Sequence, residues 1–327
     1  MTVIIDDATV RQTIDMSTAI EQLRSAYLSF AQGDIVEAAR VNIPLPTGFL
    51  RLMAASWPSC GLAGYKEFHR CNGQVRYTYH LIDQESGENL AMIDANHLTA
   101  LRTGACGGLA ADVLARKDAR KLGVIGSGSE ARTQIEAIRA VRPIESVVIF
   151  SPRVERRESL ASELRAEGIE ARTADEPTAA VADADIIAVA TNTGTRGPAF
   201  AGNWLTRPGV HVNSIGSTLP SQREIDEHTW SAVDRIVIDT ALLLHESGDA
   251  IAADKAGFLD RERIALLGDV VAGVGRARAD SERTLYKSVG SPLQDLALAA
   301  FVYRALEGRS ESLAFLADYH QVAVMAS

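Results

Sequence analysis

Apolar side chains recur at helical spacing over residues 17–32, where Ala19, Leu23, Tyr27 and Phe30 form one stripe. The period then shortens. Runs of strand character are predicted at 41–45, 49–54, 64–68 and 75–83, and Asp83-Gln-Glu-Ser-Gly87 reads as a turn leading into a further strand at 89–93. Residues 97–114 form a predicted helix rich in small residues. Its glycines weaken helix propensity, so another element or a ligand is expected to approach it closely. From there on the pattern alternates. Short apolar strands are predicted at 122–125, 146–150, 170–172, 185–190, 211–215 and 235–238, with helical stretches between most of them. That alternation is the mark of a parallel sheet covered by helices on both faces. An acidic, helix-rich stretch follows Asp239, and a final apolar helix is predicted over 293–306.

The junction Lys121-Leu-Gly-Val-Ile-Gly-Ser-Gly-Ser-Glu-Ala131 narrows the class of sheet. A buried strand runs into a glycine turn and then a helix, with the next strand at the distance of a βαβ unit. Gly126 and Gly128 sit where a dinucleotide fold needs a tight turn and close backbone approach to pyrophosphate, and Ala131 sits where helix packs on strand. The amides of Ser129 and Glu130 open the helix and would face the phosphates.

Composition limits the alternatives. At 327 residues the chain exceeds one comfortable core, and two domains are expected. A net charge of −9 argues against a general nucleic-acid partner. No apolar run is long enough for a bilayer, and the N-terminus does not read as a signal sequence. Cys60, Cys71 and Cys106 are scattered, which suits reduced thiols and a cytoplasmic location. No Cys or His pair has structural-zinc spacing, so no metal is expected.

Five segments occur together in order: Leu98-Thr-Ala-Leu-Arg-Thr-Gly-Ala105, Gly126-Ser-Gly-Ser-Glu-Ala131, Glu246-Ser-Gly-Asp249, Leu267-Gly-Asp-Val-Val-Ala-Gly273 and Lys287-Ser-Val-Gly-Ser-Pro-Leu-Gln-Asp-Leu296. The set resembles the ornithine cyclodeaminase/μ-crystallin family over essentially the whole chain. The resemblance implies an α/β architecture: a Rossmann dinucleotide-binding domain at 118–290, inserted into an α+β substrate and dimerisation domain made of 1–117 and 291–327. It also implies a homodimer and a shared chemical step, hydride transfer between nicotinamide and the α-carbon of an amino or imino acid.

Such a reaction needs a cation for the α-carboxylate, preferably an arginine that binds it in bidentate fashion. Arg40 lies where the family places a basic carboxylate-binding residue. Arg51, in Leu50-Arg-Leu-Met53, matches the alanine dehydrogenase-like pattern, where cyclodeaminases resemble Glu-Leu-Met. Strand alternation puts Arg51 on the face opposite Leu50 and Leu52. Lys66, in Gly64-Tyr-Lys-Glu-Phe68, matches the family's active-site lysine. It would exchange a proton as the reacting nitrogen changes state, and a depressed pKa is expected beside an iminium. Thr218, in Gly216-Ser-Thr-Leu-Pro-Ser221, stands where cyclodeaminases resemble aspartate. A hydroxyl can orient the substrate nitrogen but cannot serve as a carboxylate base.

At the end of the second Rossmann strand, Ser151 replaces the usual acid, and Arg153, Arg156 and Arg157 follow. This favours NADP(H) over NAD(H). Further cofactor contacts implied by the family are Arg102, Thr103, Thr191, Asn213, Ser214, Ile215 and Ser288, with Val289 also adjoining the substrate. The histidines carry no spacing that singles one out, and Asp295 is expected to start or cap the last helix. The favoured reading is an NAD(P)H-dependent reductase of an α-imino acid or cyclic ketimine, which in reverse is an amino-acid dehydrogenase. Its rivals are an ornithine cyclodeaminase-type ammonia lyase and a non-enzymatic NADP-dependent binding protein of μ-crystallin type.

Overall fold

The computed structural model describes residues 2–194 and 196–307. In chain order the elements are β1 (Val3–Ile5), α1 (Asp7–Thr13), α2 (Met16–Ala31), β2 (Val36–Glu37), β3 (Val41–Leu45), β4 (Gly48–Trp57), β5 (Leu62–Cys71), β6 (Gln74–Asp83), β7 (Asn89–Asp94) and α3 (Asn96–Leu114). There follow β8 (Lys121–Ile125), α4 (Ser129–Val141), β9 (Ser146–Phe150), α5 (Val154–Ala166), β10 (Glu170–Thr173), α6 (Pro177–Val181), β11 (Ile186–Val189) and β12 (His211–Ser214). The last are α7 (Glu227–Ala232), β13 (Arg235–Ile238), α8 (Leu243–Glu246), α9 (Gly248–Lys255), β14 (Ile264–Leu266), α10 (Leu267–Val271), β15 (Thr284–Lys287) and α11 (Pro292–Glu307). Their described residues form two compact units, one of those up to 102 together with those from 291 on, the other of 103–290. Residues 308–327 of the expected substrate domain lie outside the described residues.

The first unit is built on one sheet in the order β1-β7-β6-β5-β4-β2, with β3 also paired to β4. Its long hairpins are antiparallel, and only β1 joins in parallel, on β7. Alternation along β4 buries Arg51, Met53 and Ala55 while Leu50 and Leu52 are half-buried, which is the face assignment expected for Arg51. Helix α11 packs on α2 and against β4, β5 and β6. It is apolar nearly all round, as a helix enclosed on several sides must be. The stripe on α2 is observed, with Ala19, Leu23 and Tyr27 fully buried.

The second unit is a parallel sheet in the order β10-β9-β8-β11-β12-β15-β13-β14. The first crossover moves outward through β9 and β10, and the chain then returns to the far side of β8 at β11. This reversal creates the switch point where α/β folds bind ligands. Successive side chains feed opposite cores: Leu122, Val124, Ile186 and Ala188 pack into one, and Ile125, Ile187 and Val189 into the other. Burial on both faces explains why these strands read as continuous apolar runs. The strand β15, between β12 and β13, was not expected, because 284–287 includes Thr284 and Lys287 and did not read as an apolar run. Both are fully buried, and internal hydrogen bonds meet their polar groups.

The predicted close approach to the small-residue helix occurs. A side-chain carbon at Gly104 would lie 2.7 Å from Thr133, and one at Gly107 would lie 2.2 Å from the Gln134 amide, so α4 seats directly on α3.

Candidate active site

Two polar arrangements stand out, one in each unit. In the first, strand register sets Lys66 opposite Met53 on β4 and Tyr79 on β6. Lys66 is buried to 1% exposure, and its Nζ lies 2.7 Å from the carboxylate of Asp295 on α11. Arg102 Nε approaches the same carboxylate at 3.2 Å, while Arg102 Nη1 donates to Gln294 Oε1 at 3.0 Å. Gln294 donates in turn to the Tyr27 hydroxyl at 2.8 Å. Asp295 thus stands between two cations inside the protein.

Burial pushes the Lys66 ammonium down to about 8. Asp295 works against that shift, whereas Arg102 and Arg40 reinforce it. The expected depression is therefore present before any substrate binds, and desolvation is its main cause. Arg51 is buried, donates from Nε to Asn42 Oδ1 at 2.7 Å, and lies 5.5 and 5.7 Å from the centroids of Phe49 and Phe68. Those contacts hold the guanidinium plane in place. Arg40 is half-buried and close enough to act on Lys66 electrostatically. Lys66 and Arg102 flank the Asp295 carboxylate, and Arg40 bears on Lys66 electrostatically.

The expectation for Asp295 needs correction. It lies in the first turn of α11 but is wholly buried and bound to Lys66 and Arg102, so it is a partner of the lysine and not merely a helix start. A carboxylate within Pro-Leu-Gln-Asp-Leu-Ala-Leu was the available signal, since an acid on an otherwise apolar helix needs a buried partner.

In the second unit the glycine turn has the predicted geometry. Gly126 has φ of +132°, and a Cβ there would lie 2.2 Å from the Ala190 carbonyl oxygen. At Gly128 a Cβ would meet nothing within 4 Å, and α4 begins at Ser129 with no side-chain cap. Open space before uncapped amides fits a dinucleotide pyrophosphate. Replacing Gly126 by alanine is expected to raise the Kd for the nicotinamide dinucleotide about tenfold or more, because relieving the clash with Ala190 and a backbone strain of about 1–3 kcal/mol shifts the turn away from the phosphates. Fluorescence titration measures it, and an unchanged Kd would remove the turn from the cofactor site.

At the end of β9, Ser151 accepts a hydrogen bond from Ser127 Oγ at 2.8 Å. Arg157 is turned inward: it donates to the Ser151 carbonyl at 3.1 Å and to Asp175 at 2.6 Å. Arg153 and Arg156 are exposed at the start of α5.

A network of buried acids shapes the other strand ends, and the sequence did not reveal it. The Glu224 carboxylate accepts from Thr191 N at 2.6 Å, Thr191 Oγ1 at 3.0 Å, Ser214 Oγ at 2.6 Å and Gly216 N at 2.7 Å. Burial raises its pKa, and the Lys287 charge opposes that rise. Lys287 Nζ lies 3.0 Å from Asp249, whose carboxylate receives the Glu224 amide at 2.7 Å. Asp239 likewise accepts from Ser288 Oγ at 2.6 Å, Val289 N at 3.1 Å and Gly290 N at 2.7 Å. Thr191, Ser214, Ser288 and Val289 are therefore held in place at strand ends. Ile215 follows β12, buried, with its amide bound to the Val189 carbonyl. In sequence, Arg-Glu-Ile-Asp reads as a surface charge cluster, and nothing local shows that Glu224 turns inward.

Asn213 is corrected in one respect. Its Nδ2 donates to Gly107 O and Gln134 Oε1, both at 3.0 Å, and its Oδ1 meets His211 Nε2 at 2.8 Å. The side chain is committed internally, so it does not extend from the strand end toward a ligand. Gln134 continues the chain to the Thr103 carbonyl at 2.9 Å. His211 is wholly buried, and burial pushes its pKa down to about 3, so it is neutral and structural. Thr218 is half-buried in the turn after β12, next to Ser217, whose hydroxyl donates to the Gln222 carbonyl. Thr218 and Val289 belong to the second unit, and Lys66, Arg40, Arg51 and Arg102 to the first. Among the described residues no His, Cys, Asp and Glu group could hold a metal ion, and no helix is long and apolar enough to cross a membrane.

The strand order and glycine turn define a Rossmann-type dinucleotide-binding fold. The sequence profile of the ornithine cyclodeaminase/mu-crystallin family matches residues 1–310, and the chain belongs to that family. It is 37% identical over 232 residues to a Delta(1)-pyrroline-2-carboxylate reductase of Bacillus cereus, covering 69% of this chain and 70% of that one. It is 32% identical over 311 residues to an alanine dehydrogenase of Archaeoglobus fulgidus, covering 92% and 94%. The solved Thermococcus litoralis Delta(1)-pyrroline-2-carboxylate reductase, in complex with NADH and L-proline, superposes with a TM-score of 0.89 at 31% identity, covering 94% of this chain and 98% of that one.

Proposed function

We propose that this protein is an NAD(P)H-dependent oxidoreductase that reduces the C=N bond of an α-imino acid or cyclic ketimine, and in reverse oxidises an α-amino acid. The buried Lys66, poised near neutrality among cations, is the observation that carries the reading. Bound nicotinamide supplies or accepts the hydride. Arg51, fixed by Asn42 and two aromatic rings, and Arg40 hold the substrate carboxylate. Protonated Lys66 gives its proton to the nitrogen as C=N becomes CH–NH, and neutral Lys66 takes it back in the oxidative direction. Thr218 orients the nitrogen. The glycine turn, with Ser129 and Glu130, holds the pyrophosphate; Thr191, Ser214, Ile215 and Ser288 line the remaining strand ends; Arg102 and Thr103 complete the cofactor contacts from α3.

The reading favours NADP(H) because Ser151 leaves no acid at the end of β9 and Arg153 is exposed there. Arg153→Ala is expected to weaken NADPH binding about tenfold with little change for NADH, the loss of one charge-assisted contact. Titrating both variants with both nucleotides checks this, and tighter NADH binding by the unmodified protein would refute the preference. A homodimer located in the cytoplasm is part of the same proposal, supported by exposed Val36, Val41 and Ile43 on β2 and β3.

Following NADPH oxidation with Δ1-pyrroline-2-carboxylate, and with α-keto acids plus ammonia or methylamine, tests the activity. No turnover with any of them would overturn it. Ornithine conversion to proline and ammonia with catalytic NAD would instead establish the cyclodeaminase alternative, which the absence of the two cyclodeaminase acids at Arg51 and Thr218 disfavours.

A further inference from the structure

We propose that Tyr79 is a substrate-binding residue whose hydroxyl donates a hydrogen bond to the carboxylate of the imino acid held on the Lys66 face of the first sheet. This rests on the function proposed above. Tyr79 lies directly opposite Lys66 across the β5–β6 ladder. It is exposed to only 1%, yet among the described residues its Oη finds no hydrogen-bond partner. The ring is seated by a neighbour: a Cβ at Gly64 would lie 2.6 Å from the Tyr79 hydroxyl, so the residue two before Lys66 must be small for the phenol to fit.

A phenylalanine would fill the same space and leave no buried polar group unmet, so the hydroxyl adds nothing to packing and carries a desolvation penalty. A bound ligand is what would meet it. Both oxygens of nearby Asp295 already face cations, Lys66 and Arg102. Burial, and after it the Asp295 charge, hold the phenol's pKa well above its ordinary value, so it remains a donor at any working pH. A donor needs an acceptor. The single lone pair of the imine nitrogen takes the Lys66 proton, whereas the carboxylate oxygens offer several, and the surrounding arginines favour an anion there.

The test is Tyr79→Phe. KM for Δ1-pyrroline-2-carboxylate is expected to rise about tenfold. The Kd for NADPH should not change, and Tm should be unchanged or higher. An unchanged KM would overturn the proposal, and so would a clear fall in Tm, which would mean the hydroxyl is satisfied within the protein. Calorimetric binding of pyrrole-2-carboxylate, a planar anion that is not reduced, separates this from the wider reading. If the unmodified protein is inactive yet binds the probe more tightly than the Phe variant, the proposed reaction fails and the Tyr79 contact stands. Equal binding by the two, or none by either, overturns the contact.

Discussion

Substituting Lys66 by methionine is expected to lower kcat/KM for imine reduction about 10²- to 10⁴-fold, the usual contribution of a positioned general acid. The Kd for NADPH should be unchanged. Methionine fills the same buried volume, and Asp295 keeps the Arg102 guanidinium at 3.2 Å, so no carboxylate is stranded without a cation. Steady-state kinetics alongside nucleotide titration measure both quantities. A variant that binds NADPH and retains a third of normal turnover would remove Lys66 from the proton-transfer role.

The second large effect concerns Asp295→Asn. Asparagine keeps the shape but removes the charge that Lys66 and Arg102 share. If both cations stayed charged, their loss of a partner would cost about 3 kcal/mol or more. Lys66, held at about 8, can instead shed its proton at pH 7 for roughly 1 kcal/mol. Discharge is the cheaper course, so the variant should fold with Lys66 largely neutral.

The pH profile should report it. In the unmodified protein, kcat/KM for reduction is expected to fall as pH rises through about 8, because the donor is lost, and for oxidation to rise through the same point. Asp295 raises the lysine's pKa, so its removal moves both limbs to lower pH. At neutral pH reduction should drop by about tenfold while oxidation should rise, because more of Lys66 is then the neutral base. Stability follows the same sign. Lys66 titrates lower in the folded chain than in the unfolded one, so its contribution to stability rises with pH from about 8 up to the ordinary lysine value of 10.5. Limbs that do not move in the Asn variant would show that Asp295 does not act through Lys66.

Local pattern carried much of the architecture. Periods of 3.6 and 2.0 located α2, α3, β4 to β7 and most strands of the parallel sheet, because those elements bury one face or both and their side chains show it. The glycine turn was readable for a similar reason. Gly126 requires a positive φ and close approach to Ala190, which only glycine allows, and that requirement is local. Arg51 was marked by its position within an apolar strand, and both Arg51 and Lys66 by the family resemblance.

What escaped sequence reading was long-range. Asp295 is separated from Lys66 by most of the chain, and only the packing of α11 on β4 and β5 makes it the lysine's counterion. Glu224, Asp239 and Asp249 look like surface acids until folding turns them inward against backbone amides. Asn213 sits at a strand end where the family implies a cofactor contact, yet tertiary packing commits its amide to α3 and α4. β15 carries buried polar residues whose partners lie on other elements. Sequence by itself determined which segments form strands and helices and where a dinucleotide turn lies, since backbone sterics and the burial of one face act between near neighbours. Only the tertiary structure decided which charges meet, because desolvation and ion pairing depend on what the folded chain brings within a few ångströms, and no spacing along the sequence encodes that.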